Sequence, residues 1–200
     1  NFTYLSSNGD TNKIICTDCG PGNTLMDAYV LQNFPPNTYD KNAALAMQGT
    51  PIENLLHQLM QHSFFQQVFP KTTGPELFNL AYLQQAIQAA NLSNPNHYNV
   101  LATLNLFTAK AIAQAINTTI SNTQATIYTS GGGKHNPLIM QNLQKQLPHY
   151  SFKNIDELQI NADAKEAVLF ALLANETVAG NGFHFTNLPN VNFGKISFPS

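Results

Sequence analysis

Asp18 stands at the end of a short apolar run, Ile14-Ile-Cys-Thr17, and a tight turn, Gly20-Pro-Gly-Asn23, follows almost at once. The segment from Thr24 to Asn33 then reads as a helix. Strand, acid, glycine turn and helix start together aim a carboxylate and unpaired backbone N–H groups at an anion such as a phosphate. Glycine lets the backbone approach that anion closely, and the helix start adds its positive dipole end. A second turn of the same kind, Gly131-Gly-Gly-Lys-His-Asn136, closes the run Ala125-Thr-Ile-Tyr-Thr129. With no side chains in the way, a flat ring can lie against such a turn. Each feature alone has a plainer reading, since aspartate caps turns and glycine ends strands. In open α/β sheets, however, turns of this kind gather at the carboxyl edge of the strands, where ligands sit.

The elements that must position these groups alternate. Residues 14–17 and 125–129 read as buried strands, with a weaker strand near Ser151-Phe152. Helices are expected over 24–33, 52–60, 75–90, 98–120, 137–146 and 163–174. The long fourth helix carries Leu101, Leu104, Phe107, Ala111, Ile112 and Ala115 inward at steps of three and four. Strands interleaved with helices, without a linker or internal repeat, predict one α/β domain over residues 1–200.

Composition narrows the function. In 200 residues of net charge -2, 43% hydrophobic residues can fill one core, and no basic excess favours a nucleic-acid backbone. All nine basic residues are lysines, which removes any bidentate guanidinium clamp. No apolar run approaches the roughly 18–20 residues of a membrane span, and the first ten residues do not read as a signal peptide, so the expected setting is cytoplasmic. Cys16 and Cys19 have the spacing of a redox pair, which would predict a reversible disulfide. Gly20-Pro21-Gly22 keeps the second thiol out of a helix, and neither a second such pair nor paired histidines offers a zinc site. No metal ligand is assigned, and the two cysteines read as small fillers beside the turn.

Five segments in order resemble one family, the anhydro-N-acetylmuramic acid kinases of the actin, sugar kinase and heat-shock ATPase superfamily. Asp18-Cys-Gly-Pro-Gly-Asn23 resembles that family's Asp-Thr-Gly-Pro-Gly-Asn motif, and Pro70-Lys-Thr-Thr-Gly-Pro-Glu-Leu-Phe-Asn79 its Pro-Lys-Ser-Thr-Gly-Arg-Glu-x-Phe-Asn loop. Leu101 to Ala113 is similar to its long helix, Gly131 to Pro137 to its nucleotide turn, and Ala162 to Ala171 to its C-terminal helix. Cys19 and Pro75 depart from the family's Thr and Arg. The resemblance implies a ribonuclease H-like domain, a mixed sheet flanked by helices.

It also implies an ATP- and Mg2+-dependent enzyme that opens the anhydro ring of a recycled murein sugar and phosphorylates it. Asp18 matches the catalytic base. Glu166 and Asn23 match substrate-binding positions. Gly20, Gly22, Gly131, Gly132, Gly133 and Asn136 match positions that border the nucleotide, and Lys71 and Thr73 lie where they could approach it. Asp27 reads as structural. The family's N-terminal Gly-Thr-Ser-x-Asp-Gly turn is not found, so the expectation is a C-terminal domain lacking its N-terminal partner and inactive alone. The partners implied are anhydro-N-acetylmuramic acid, ATP, the missing domain and a second copy in a homodimer. The alternatives are a non-catalytic sugar- or nucleotide-binding relative, or one half of a split enzyme.

Overall fold

The computed structural model describes residues 1–120, 125–159, 164–180 and 194. Strands β1 (Phe2–Tyr4) and β2 (Ile15–Thr17) form an antiparallel ladder in which Phe2 faces Thr17 and Tyr4 faces Ile15. Helices α1 (Thr24–Asn33), α2 (Glu53–Met60), α3 (Leu80–Ala89) and α4 (His97–Thr119) follow. Then β3 (Thr126–Thr129), α5 (Pro137–Gln146) and β4 (Ser151–Asn154) make a crossover unit whose strands pair in parallel, Thr126 with Ser151 and Thr129 with Asn154. Helix α6 (Lys165–Ala179) comes last.

The fold is mixed α/β, but the described strands form two separate two-stranded ladders where one mixed sheet was expected. A loop docks at the end of β2 instead. There Lys71 and Thr17 bond reciprocally: the Lys71 amide donates to the Thr17 hydroxyl at 2.9 Å, and that hydroxyl donates to the Lys71 carbonyl at 3.0 Å. The Asp18 amide also donates to the Lys71 carbonyl at 2.9 Å. The loop around Lys71 is thus fastened to the last residue of β2 and to the residue after it. Strand β1 carried no periodic signal in its three residues and was not anticipated.

Helix starts follow side-chain caps. Asn96 accepts from the Tyr98 and Asn99 amides to open α4, and Asn136 accepts from the Ile139 amide behind Pro137 to open α5. The expected 75–90 helix begins only at Leu80. Residues 74–78 turn instead, the Leu77 and Phe78 amides donating to the Gly74 carbonyl, and Asn79 then caps through the Tyr82 amide. A stronger cap displaced the start that Pro75 suggested.

Helix α4 is the axis of the core. Val100, Leu101, Leu104 and Phe107 are buried on it, against Leu55 and Leu59 of α2, Val30 of α1 and Leu143 of α5. Phe107 meets Phe65, Phe78 and Tyr82 at ring-centroid distances of 5.6, 6.0 and 6.3 Å. By contrast α6 buries none of its side chains, and Phe170 is 68% exposed. No helix of the described residues is long and apolar enough to cross a membrane. Asp163, expected to open the last helix, and the tail near Leu188 to Val191 lie outside the described residues.

Candidate functional site

Asp18 follows β2 directly and is half-buried. Its Oδ2 accepts from the Thr72 hydroxyl and from the Thr73 amide, both at 2.9 Å. The loop supplying those donors is pinned by Lys71. That ammonium donates to the Phe64 carbonyl at 2.7 Å and lies 4.3 and 4.6 Å from the centroids of the Phe64 and Phe69 rings. Burial pushes its pKa down, and the nearby Cys19 opposes that shift. With its ammonium bound in this way, Lys71 holds the loop; the sequence had suggested a side chain free to approach a nucleotide.

The first glycine turn leaves Asp18 along α4. A Cβ on Gly20 would come within 2.9 Å of the Ala111 Cβ, so only glycine allows this approach. Gly22 has φ +58 with open space around it, and its carbonyl accepts from the Thr108 hydroxyl at 2.9 Å. Cys19 is buried, with 2% of its surface exposed, and burial pushes its thiol pKa up; Cys16 is exposed on β2. Both cysteines are free thiols.

The second turn meets the first. Asn23 lies against Gly132 and Gly133: a Cβ on either would sit 3.6 Å from the Asn23 Nδ2 or 3.9 Å from its Oδ1. Gly131 has φ +79 and open space. Residues 132–135 form a single 3-10 turn, and Asn136 closes it. The Asn136 Oδ1 accepts from the Asn105 Nδ2 at 3.0 Å, and the Asn105 Oδ1 accepts from the Asn142 Nδ2 at 3.3 Å. Asn105 is wholly buried.

One face of α4 therefore holds both turns, because Asn105, Thr108 and Ala111 succeed one another at steps of three. Of these the sequence pointed inward only Ala111; Asn105 and Thr108 were missed, as were Thr72 and its bond to Asp18. The signal was present as Asn and Thr inside a run whose neighbours are all apolar, since a buried polar side chain needs a partner.

Gly20, Gly22, Asn23, Gly131, Gly132, Gly133 and Asn136 thus gather along the middle of α4, with Asp18 at the head of the first turn. Glu166 stands apart. It is exposed in the first turn of α6 and makes no described contact with the others. Its neighbour Lys165 donates from Nζ to the Ser130 hydroxyl at 3.0 Å, which ties the start of α6 to the edge of the second turn. Among the described residues, no group of three His, Cys, Asp or Glu side chains could hold a metal ion.

Comparison with known proteins gives the family. A sequence model described as anhydro-N-acetylmuramic acid kinase matches residues 1–192. The chain is 48% identical to the protein of that name from Pseudoalteromonas atlantica over 205 residues, covering 100% of this chain and 51% of the relative. It is 48% identical to the one from Pseudoalteromonas translucida over 204 residues (99% and 51%), and 40% identical to the one from Crocosphaera subtropica over 179 residues (87% and 47%). The chain spans about half the length of these curated relatives.

These matches correct one expectation. Because similarity runs along the whole chain, the picture of a C-terminal half deprived of an N-terminal partner is withdrawn, and with it the inactivity inferred from that loss. By its family match over residues 1–192, the chain belongs to the anhydro-N-acetylmuramic acid kinase family.

Proposed function

We propose that this chain contributes the carboxylate and the two glycine turns of an ATP-dependent kinase acting on anhydro-N-acetylmuramic acid. The observation carrying the proposal is the closeness of Asn23 to Gly132 and Gly133, which sets the two turns side by side just beyond β2 and Asp18. The finer fold reading, a ribonuclease H-like domain, belongs to the same proposal and is supported by the crossover β3–α5–β4 beside the second turn.

Asp18 has the chemistry of a general base. A half-buried carboxylate within reach of a water takes its proton, and the water oxygen attacks the anomeric carbon of the sugar. The C1–O6 anhydro bond breaks, and the O6 so freed takes the terminal phosphoryl group of ATP, with ADP as the leaving group. Gly20 and Gly22, with Asn23, offer backbone and carboxamide to phosphate and sugar. Gly131, Gly132 and Gly133 leave bare backbone for the nucleotide, and Asn136 holds the end of that turn. Glu166 supplies an acceptor for sugar hydroxyls from the first turn of α6.

The open glycine backbone fits a bound nucleotide, since no atom lies within 4 Å of a Cβ built on Gly22 or Gly131. Mg2+ is commonly held by substrate phosphates with few protein carboxylates, and Asp18 stands beside the turn that would face them. When bound, it neutralises charge on the transferring phosphoryl group.

The test is sugar phosphorylation by the full chain with Mg-ATP. Asp18→Asn keeps the size and loses the base, and turnover is expected to fall by about 10²–10⁴. Turnover equal to that of the unsubstituted chain overturns the assignment.

A further inference from the structure

We infer that Thr72 is a positioning residue for Asp18. It holds one carboxylate oxygen so that the other is presented in a single orientation; the inference rests on reading Asp18 as the base.

Both described donors to the carboxylate reach the same atom. The Thr72 hydroxyl and the Thr73 amide each lie 2.9 Å from Oδ2, and no described group donates to Oδ1. Two donors on one oxygen hold the side chain in a single χ1 rotamer, because rotation about Cα–Cβ would carry Oδ2 away from both. Oδ1 is thereby left as the acceptor available to a water. A single donor would fix a distance but leave a hinge, and the second removes it.

The donors are themselves fixed. The Lys71 backbone bonds twice with the Thr17 hydroxyl and accepts the Asp18 amide, so the loop is fastened at the end of β2. The Lys71 ammonium, bound to the Phe64 carbonyl between two rings, prevents the loop from sliding. Thr72 is exposed apart from this bond, so its side chain has no packing role to confuse with the hydrogen bond. A β-branched hydroxyl with restricted χ1 suits the task, because little freedom is lost when it bonds.

Thr72→Val keeps the shape and removes the donor, while Thr72→Ser keeps the donor. Two readouts on the full chain separate this inference from the base assignment. The first is the set of Hα–Hβ couplings of Asp18 by NMR, which needs no turnover. Couplings of one rotamer are expected in the parent and in Thr72→Ser, and averaged couplings in Thr72→Val. The second is sugar phosphorylation, where Thr72→Val is expected to lower kcat about tenfold with KM unchanged, and Thr72→Ser to restore it within about twofold.

Unchanged couplings in Thr72→Val overturn the inference. So does a kcat loss that Ser fails to restore, or one matched by a rise in KM. If Asp18→Asn turns over like the parent, the base assignment falls, and the couplings still decide whether Thr72 sets the carboxylate.

Discussion

Asp27 shows how a single carboxylate can oppose the stability of the site it supports. It lies in the first turn of α1, where the helix dipole favours a negative charge, yet burial raises its pKa and the nearby Asp40 adds to the shift. Its folded value lies above its unfolded one, so the folded state binds the proton more tightly. The ionised side chain therefore detracts from stability at neutral pH, and that handicap disappears as pH falls through the raised value. Asp27→Asn is expected to raise the urea midpoint at pH 7, with the advantage closing as pH approaches the ordinary carboxylate range. A midpoint unchanged at pH 7, or an advantage that widens in acid, contradicts this account. The sequence labelled Asp27 structural, but nothing in its spacing revealed Asp40 beside it. Asp18, by contrast, was readable from its position between an apolar run and a glycine turn. Its partners Thr72 and Thr73 were not, because bonds across 54 and 55 residues leave no local pattern.

Among the elements, α4 does more than fill the core. Its apolar steps were visible in the sequence, and the helix extends from His97 to Thr119 much as periodicity required. Hidden among them were polar side chains that serve other segments. Asn99 accepts from the Thr50 amide, and the Thr103 hydroxyl accepts from the Ile52 amide, so α4 fixes the entry to α2. Asn105 and Thr108 do the same for the two glycine turns. Thr108→Val preserves volume but leaves the Gly22 carbonyl without its donor. It should cost about 1–2 kcal/mol by urea denaturation and speed amide exchange in residues 22–24. Exchange that stays as slow as in the parent would show that the turn holds without α4. Helix propensity and periodicity describe α4 as a cylinder; which rows of that cylinder carry hydrogen bonds emerges only once its neighbours are in place.

Across the whole molecule, stability is concentrated where α4 meets the aromatic cluster. Phe107→Ala removes a ring in contact with Phe65, Phe78 and Tyr82 and is expected to cost about 3–5 kcal/mol. Phe170→Ser on the exposed face of α6 should change stability by less than about 0.5 kcal/mol. Similar losses in the two variants, measured by urea unfolding, would relocate the core. The sequence predicted a helix over 163–174 and could not tell that its apolar residues would stand exposed among the described residues.

The bond between Asp18 and Thr72 has a temporal side. Helices α1 and α2 lie within the excursion it closes, so the acid owes its orientation to a loop 54 residues further along the chain. A nascent chain that ends before residue 72 already contains the acid but nothing from that loop to aim it. The orientation of this carboxylate is a property of segments far apart in the chain and is absent from any fragment that stops before them.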